Sequence, residues 1–334
     1  MKKNILVTGG AGYIGSHILE ILLKKKYSIY VVDNLSTGYK KLINKKIKFY
    51  KIDIRNTKKI KEIIKNNNIY SVIHLAACLS VGEGEKKPKK YYSNNVIGTR
   101  NLLNACTGLK VKNFLFSSTC AVYKDKITKV HENTKLLPKS VYGKTKLDGE
   151  KIIKTYCKIN KINYGILRFF NVAGASLSGN VGQIKSGDQL FKNLTLSILK
   201  KKPKINIYGN NYNTVDGTCV RDYIHVSDIA NIHLKVLNKI DKIKKSIILN
   251  CGYGFGISVL QVIKTFQKIS KKKIKIVIQK KRSGDMEKII SINTKLKKFI
   301  NWNPRYNSLK KIATSALNWE IKYRKINFKK KKLF

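Results

Sequence analysis

The sequence predicts an α/β protein built on a doubly wound parallel sheet, with a smaller α/β unit after it. Three observations carry that expectation. Short β-branched runs alternate with helical patterns through the first half of the chain. A glycine-rich turn, TGGAGYIGSH at 8–17, joins the first such run to the first helical pattern. The 334 residues, 43% of them hydrophobic, suffice for one large α/β unit or two ordinary domains.

The first strand is 4–8 (NILVT), apolar and ended by glycines, and Ile14, Ile18, Ile21 and Leu22 follow at helical spacing. A second strand, 28–32 (SIYVV), stops at Asp33, and a third, 47–52, stops at Asp53. Further strands are expected at 71–76, 114–116 and 164–167. Helical patterns such as 60–64 and 96–105 separate most of them, so the strands should be parallel with right-handed crossovers. The rhythm weakens after Asn171, where 171–188 is rich in Gly, Ser and Asn and reads as a long loop. The expected division is a dinucleotide-binding domain at 1–170 and a second domain at 171–334. The run at 246–250 is expected to return to the first.

Lys and Arg number 70 against 18 Asp and Glu, a formal charge of +52. The lysines are spread over nearly every presumptive helix and loop, which reads as a solvated surface and not as a specific nucleic-acid site. The longest nearly apolar run, 72–81, is broken by His74 and is shorter than the roughly 18 residues a membrane span needs. Glycines arrive directly after the start, so no secretory leader is expected and the expected compartment is the cytoplasm. Six scattered cysteines without a CxxC pair and five histidines without HExxH suggest neither a disulfide framework nor a metal site.

In the glycine turn, Gly9 permits the tight bend, Gly12 lets a pyrophosphate approach the backbone, and Gly15 lets helix and strand pack closely. Free N–H groups at the helix start would bind the phosphates. Asp33, ending the next strand, is positioned to accept hydrogen bonds from ribose hydroxyls and to repel a 2′-phosphate, which points to NAD as cofactor. Asp53 is positioned either to pair with an adenine amino group or simply to form a turn. Tyr142 and Lys146 stand four apart in YGKTK and share a helix face. A nearby ammonium group and a positive nicotinamide ring both favour a phenolate, so the pair could take a proton from a sugar hydroxyl. Thr119, at the edge of the fifth strand, would set its hydroxyl beside the phenol.

Together with DNLSTG (33–38), HLAA (74–77), YYSNNVIGT (91–99), SSTCAVY (117–123), LRFFNVAGA (167–175), DGTCVRDYIHV (216–226) and RSGD (282–285), these motifs resemble the extended short-chain dehydrogenases, and within them the UDP-glucose 4-epimerase family. The resemblance covers nearly the whole chain and DGTCVRDYIHV is its most specific part. It implies a Rossmann-type fold, a tightly held NAD and a UDP-sugar substrate. The implied reaction interconverts UDP-glucose and UDP-galactose: Tyr142 deprotonates the C4 hydroxyl, a 4-keto sugar forms, turns and is reduced on its other face. By the same resemblance Tyr13, Ile14, Asn34, Ile54, Leu75, Ala76, Ala77, Asn95, Lys146 and Phe170 would contact NAD. Asn171, Arg221 and Arg282 would bind the diphosphate, and Asp285 the uridine ribose. Tyr208 would flank uracil, with Gln189, Leu190 and Tyr223 in the same groove and Ile289 gating the sugar pocket. A homodimer, paired through two helices of the first domain, is also implied.

Other nucleotide-sugar reactions fit less well. A 4,6-dehydratase needs an extra acid and base after the Ser or Thr, where this chain has Cys120 and Ala121. C4 epimerisation of a UDP-N-acetylhexosamine, pentose or uronate needs the same three residues, so it stays open, as does NAD or nucleotide-sugar binding without turnover.

Overall fold

The structure, a computed structural model, describes residues 3–282 and 286–331, the last five as backbone only. Its frame is a seven-stranded, wholly parallel sheet. The strands are β1 (Asn4–Thr8), β2 (Ser28–Val32), β3 (Lys48–Tyr50), β4 (Ile69–His74), β5 (Asn113–Thr119), β6 (Asn163–Phe169) and β7 (Ile247–Cys251). Their spatial order is β3, β2, β1, β4, β5, β6, β7. The doubly wound expectation is therefore met. Strands β1 and β4 are neighbours, so chain direction across the sheet reverses between them and a crevice opens outside their carboxyl ends.

Helices cover both faces. On one lie α1 (Tyr13–Lys24) and α5 (Val226–Ile243); on the other lie α2 (Thr57–Asn66), α3 (Gly98–Cys106) and α4 (Val141–Ile159). Covered on both sides, β5 is buried along its full length although four of its seven residues are polar. Those polar groups find partners: Asn113 meets Asp241, Ser118 meets Glu150 and Thr119 meets Tyr142. The apolar pattern alone revealed only 114–116 because it cannot register satisfied polar residues in a buried strand.

Past Asn171, the loop at 174–188 is free of helix and strand, and smaller sheets follow. Asn171–Ala173 pairs with Tyr223–His225, and Lys204–Tyr208 pairs with Lys275–Gln279. A four-stranded sheet joins Ile257–Ser258, Val220–Arg221, Lys288–Ser291 and Lys129–Val130. Strands thus cross residue 170 both ways: Ile247–Cys251 closes the large sheet, and Lys129–Val130 joins the small one. Among the described residues no helix is long and apolar enough to cross a membrane and no His, Cys, Asp and Glu cluster could hold a metal ion.

Candidate active site

The turn after β1 is built as a phosphate cradle. Gly9 adopts φ +72°, a left-handed conformation, and its N–H donates to the Val32 carbonyl at 2.9 Å. A Cβ on Gly9 would lie 2.7 Å from the Ala76 nitrogen, and one on Gly15 would lie 2.3 Å from the Gly9 oxygen. Gly12 differs: a Cβ there would meet only the Gly9 oxygen, at 3.2 Å. Internal packing demands glycine at 9 and 15, whereas beside Gly12 the space is open at the head of α1. No side chain caps that helix, so its first N–H groups face outward, a fitting partner for a pyrophosphate.

Asp33 is buried at the end of β2, with Oδ2 accepting from the Ala11 N–H at 3.0 Å and Oδ1 from the Leu35 N–H at 2.8 Å. Burial raises its pKa and these two bonds oppose the rise. Each oxygen keeps acceptor capacity for a ribose hydroxyl. Asp53 is more fully engaged. Arg55 forks onto both its oxygens at 2.8 and 2.9 Å, the Arg55 N–H adds 2.9 Å, and Asn34 donates to Oδ2 at 2.9 Å. These bonds, the Arg55 side chain first, lower its pKa to about 2. An adenine amino group would have to share a carboxylate whose acceptor positions are taken. Tyr13 and Ile14 open α1, and the Tyr13 hydroxyl donates to the Gly174 carbonyl at 2.6 Å, tying the cradle to the second half of the chain. Ile54 is buried beneath Gly98; Leu75, Ala76 and Ala77 follow β4 into the crevice, the Leu75 N–H donating to the Thr8 oxygen at 3.1 Å.

Asn95 sits in a π-helical stretch, Tyr92–Ile97, leading into α3. Its amide is satisfied inside the protein: Oδ1 accepts from the Cys78 N–H at 2.8 Å, while Nδ2 donates to the Cys78 oxygen and the Thr145 hydroxyl, both at 3.1 Å. It therefore braces the loop after β4 against α4.

That helix starts at an N-cap, Ser140, whose hydroxyl accepts from the Gly143 N–H at 3.1 Å. Tyr142 follows, half-buried, with its phenol near enough to the Thr119 hydroxyl at the end of β5 to be influenced by it. Lys146, one turn on, is buried and sets its nitrogen 4.4 Å from the Phe116 ring centroid. Burial pushes the phenol up to about 12, the Thr119 hydroxyl opposing, and pulls the lysine down to about 7, with Glu150 opposing. Burial dominates both groups and disfavours the charged form of each. Cys120 lies within electrostatic reach of both Tyr142 and Arg221 and so links the reacting end to the second half of the site.

On that second side, Phe170 is buried behind Cys120, and the Asn171 N–H donates to the Asp222 oxygen at 2.9 Å. Arg221 donates to the Val220 and Glu287 carbonyls at 3.0 and 3.2 Å. Arg282 stacks its guanidinium 4.4 Å from the Tyr208 ring centroid, so the structure brings those two together. Gln189, exposed, stands at the N-cap position of the helix that Leu190 begins, without a side-chain capping bond. Asp285 lies outside the described residues.

Two of the expected residues are buried. Tyr223 is only 5% exposed and packs 5.1 Å from the Phe191 ring, because the chain changes sheets at Asp222 and turns this side chain into the main core. Ile289, register partner of Arg221, is 2% exposed and packs with Phe170, Tyr123, Val122 and Val130.

The sequence reading also missed Asp222 and Glu150. Asp222 accepts from the Tyr253, Gly254 and Ser291 N–H groups at 2.8, 3.0 and 3.1 Å and from the Ser291 hydroxyl at 2.6 Å, which locks the strand carrying Arg221. The available signal was weak: Asp222 directly follows Arg221 within DGTCVRDYIHV, and Glu150 stands one turn past Lys146.

Comparison with known proteins decides the family. The model of the NAD dependent epimerase/dehydratase family matches residues 5–252. The chain belongs to that family. The match runs through all seven strands of the large sheet and includes Thr119, Tyr142 and Lys146. Similar family members include the UDP-glucose 4-epimerase of Lactobacillus helveticus, 37% identical over 94% of this chain and 96% of that protein. That of Dictyostelium discoideum is 38% identical over 96% of each. Among solved structures, the UDP-glucose 4-epimerase of Bifidobacterium longum in complex with NAD+ and UDP superposes with a TM-score of 0.90 at 34% identity, covering 96% of this chain and 98% of that one. The enzyme from Stenotrophomonas maltophila with bound NAD and formylated UDP-arabinopyranose superposes with a TM-score of 0.92 at 30% identity, covering 97% and 99%.

Proposed function

We propose that this chain interconverts UDP-glucose and UDP-galactose at C4 with NAD as a resident cofactor. The observation that carries the reading is the Tyr142 phenol beside the Thr119 hydroxyl, with Lys146 one turn on, at the carboxyl edge of the sheet near an uncapped glycine cradle. Relatives over nearly the full chain named as UDP-glucose 4-epimerases support it.

In this reading the first 170 residues hold the dinucleotide. The Gly9, Gly12 and Gly15 turn with Tyr13 and Ile14 takes the pyrophosphate, and Asp33 with Asn34 takes the adenosine ribose. Asp53, Ile54, Leu75, Ala76, Ala77, Asn95 and Phe170 line the remainder. A dinucleotide held there would supply an acceptor for the C4 hydride and a donor that returns it to the opposite face of the sugar. Tyr142 accepts the C4 hydroxyl proton, Thr119 shares that proton, and Lys146 bonds the nicotinamide ribose. With its unassisted phenol near 12, Tyr142 needs positive charge beside it to act at neutral pH, and a protonated Lys146 is the chain's own source.

Residues after 170 hold the nucleotide: Arg221, Arg282 and Asn171 the diphosphate, Tyr208 the uracil, Asp285 the uridine ribose, with Gln189 and Leu190 beside them. Binding energy gathered there leaves the hexose loosely held, as a ring that must present both faces requires. C4 epimerisation of a UDP-N-acetylhexosamine is the second reading, favoured by a neighbour from Campylobacter jejuni named as a UDP-Glc/GlcNAc 4-epimerase, 37% identical with a TM-score of 0.83.

We further propose a homodimer paired through α4 and the helical stretch leading into α3, on which Tyr92 and Ile97 are exposed at 39% and 46%. A cytoplasmic location accords with six free thiols.

The test is to offer purified protein a panel of UDP-hexoses, UDP-N-acetylhexosamines and UDP-pentoses without added NAD. UDP-galactose should yield UDP-glucose, and denatured protein should release NAD. No conversion of any sugar, even with NAD supplied, would overturn the proposal.

A further inference from the structure

A buried polar row lies beneath the reacting groups and takes no part in the chemistry above. Ser118 on β5, Arg168 on β6 and Asn250 on β7 are register partners across three adjacent strands, and all are buried. Glu150 descends from α4 onto this row. Arg168 forks onto its two oxygens at 2.9 and 2.7 Å, and the Ser118 hydroxyl donates to Oε1 at 2.6 Å. Arg168 also donates to the Tyr123 hydroxyl at 3.0 Å and the Glu132 carbonyl at 2.9 Å. The Tyr123 hydroxyl in turn donates to Asn250 Oδ1 at 2.6 Å.

The row is tied to both partners of the reacting pair. Glu150 stands one turn past Lys146 and two past Tyr142 on the same helix face. Ser118 immediately precedes Thr119. A buried ion pair is a poor way to gain stability, because apolar side chains of similar volume pack as well without the loss of hydration. Its position suggests another task. The charged groups around Lys146 leave Glu150 as its anion. His74, from β4, is kept neutral by burial between the Thr8 and Thr99 hydroxyls. The carboxylates of the short helix Val81–Lys86 are engaged elsewhere, Glu83 with Lys90 and Glu85 with the Val141 N–H. The Arg168 guanidinium is bound to Glu150 itself.

We propose that Glu150 is a positioning residue: pinned by Arg168 and Ser118, it fixes α4 on β5 so that Tyr142 meets Thr119, and it holds Lys146 in its ammonium form. The proposal rests on the functional reading above and assigns a task to a residue that need not touch cofactor or sugar.

The experiment compares three purified proteins: the parent, the Glu150→Leu/Arg168→Met double variant, and Ser118→Ala. Melting temperature, kcat, KM for UDP-galactose and the pH dependence of kcat are measured on each. The double variant should melt within a few degrees of the parent or above it, since both charges leave together. Its kcat should nonetheless fall at least about tenfold with KM within about twofold, and the alkaline fall of kcat should begin at lower pH as Lys146 loses its anion. A double variant with the parent's kcat and pH profile overturns the proposal. If the double variant does not fold, Ser118→Ala decides. It removes one hydrogen bond and no charge, so a lowered kcat with little change in melting supports the proposal and an unchanged kcat overturns it. An inactive parent would sink the functional reading as well; an active parent with an equally active double variant sinks this proposal alone.

Discussion

Lys146 holds its side-chain nitrogen 4.4 Å from the centroid of the Phe116 ring, one helical turn past Tyr142. An ammonium over an aromatic face keeps some electrostatic support where water is excluded, yet burial still draws this lysine down to about 7. The residue is thus held for function at a cost to the fold. Lys146→Met should leave the melting temperature unchanged or raise it, because a buried charge is exchanged for an apolar chain of similar length. The same variant should lose about a hundredfold or more in kcat, read in a coupled UDP-galactose assay.

Tyr142→Phe keeps the ring and removes the proton acceptor. We expect a kcat loss of about 10²- to 10⁴-fold, the range for general acid–base groups, with melting little altered. A rate within twofold of the parent would mean that another group takes the C4 proton.

The three glycines of the cradle should separate into two classes. At Gly15 a methyl would lie 2.3 Å from the Gly9 oxygen, so Gly15→Ala should destabilise the protein by about 1–3 kcal/mol. At Gly12 the methyl meets only the Gly9 oxygen, at 3.2 Å, and otherwise reaches the space assigned to pyrophosphate. Gly12→Ala should therefore melt near the parent yet emerge from purification with little NAD, measured on the denatured supernatant.

Four histidines give the pH dependence of stability. His17 and His233 are lowered by burial to about 4, and His74 and His225 to about 3, from an ordinary 6.5. A base with a depressed folded pKa binds fewer protons when folded, so its contribution is whole above pH 6.5 and is lost as pH falls toward 3 to 4. Asp33, Asp222 and Asp228 act with opposite sign, since burial raises their pKa. Melting temperature should fall steeply below 6.5, and between pH 7 and 8 it should still rise, because the buried Lys146, drawn down to about 7, sheds its proton there only in the folded chain. Replacing the buried His74 by Gln, which can bond Thr8 and Thr99 without titrating, should reduce the slope by about one proton.

Much of this was legible in the sequence because strand, glycine turn and acid follow one another at fixed spacing. The run 4–8 and the run 28–32 coincide with β1 and β2, and Tyr142, Lys146 and Thr119 converge as their motifs require. What was hidden depended on neighbours distant in the chain. The polar end of β5 is a strand because Glu150 and Tyr142 satisfy it. Tyr223 turned inward because Asp222 is captured by Ser291 and Tyr253, residues far along the sequence. The π-helical turn that aims Asn95 at Cys78 and Thr145 has no signature in hydrophobic spacing. The direction of the shift at Tyr142 followed from burial, which a sequence does not state.

The central claim is that hydrogen leaves and re-enters C4 without meeting solvent, between a proton acceptor at Tyr142 and a resident dinucleotide. UDP-galactose carrying deuterium at C4, converted by the purified protein in ordinary water, tests this most directly. The UDP-glucose formed should still carry deuterium at C4. Product that has exchanged its C4 label with water would contradict it.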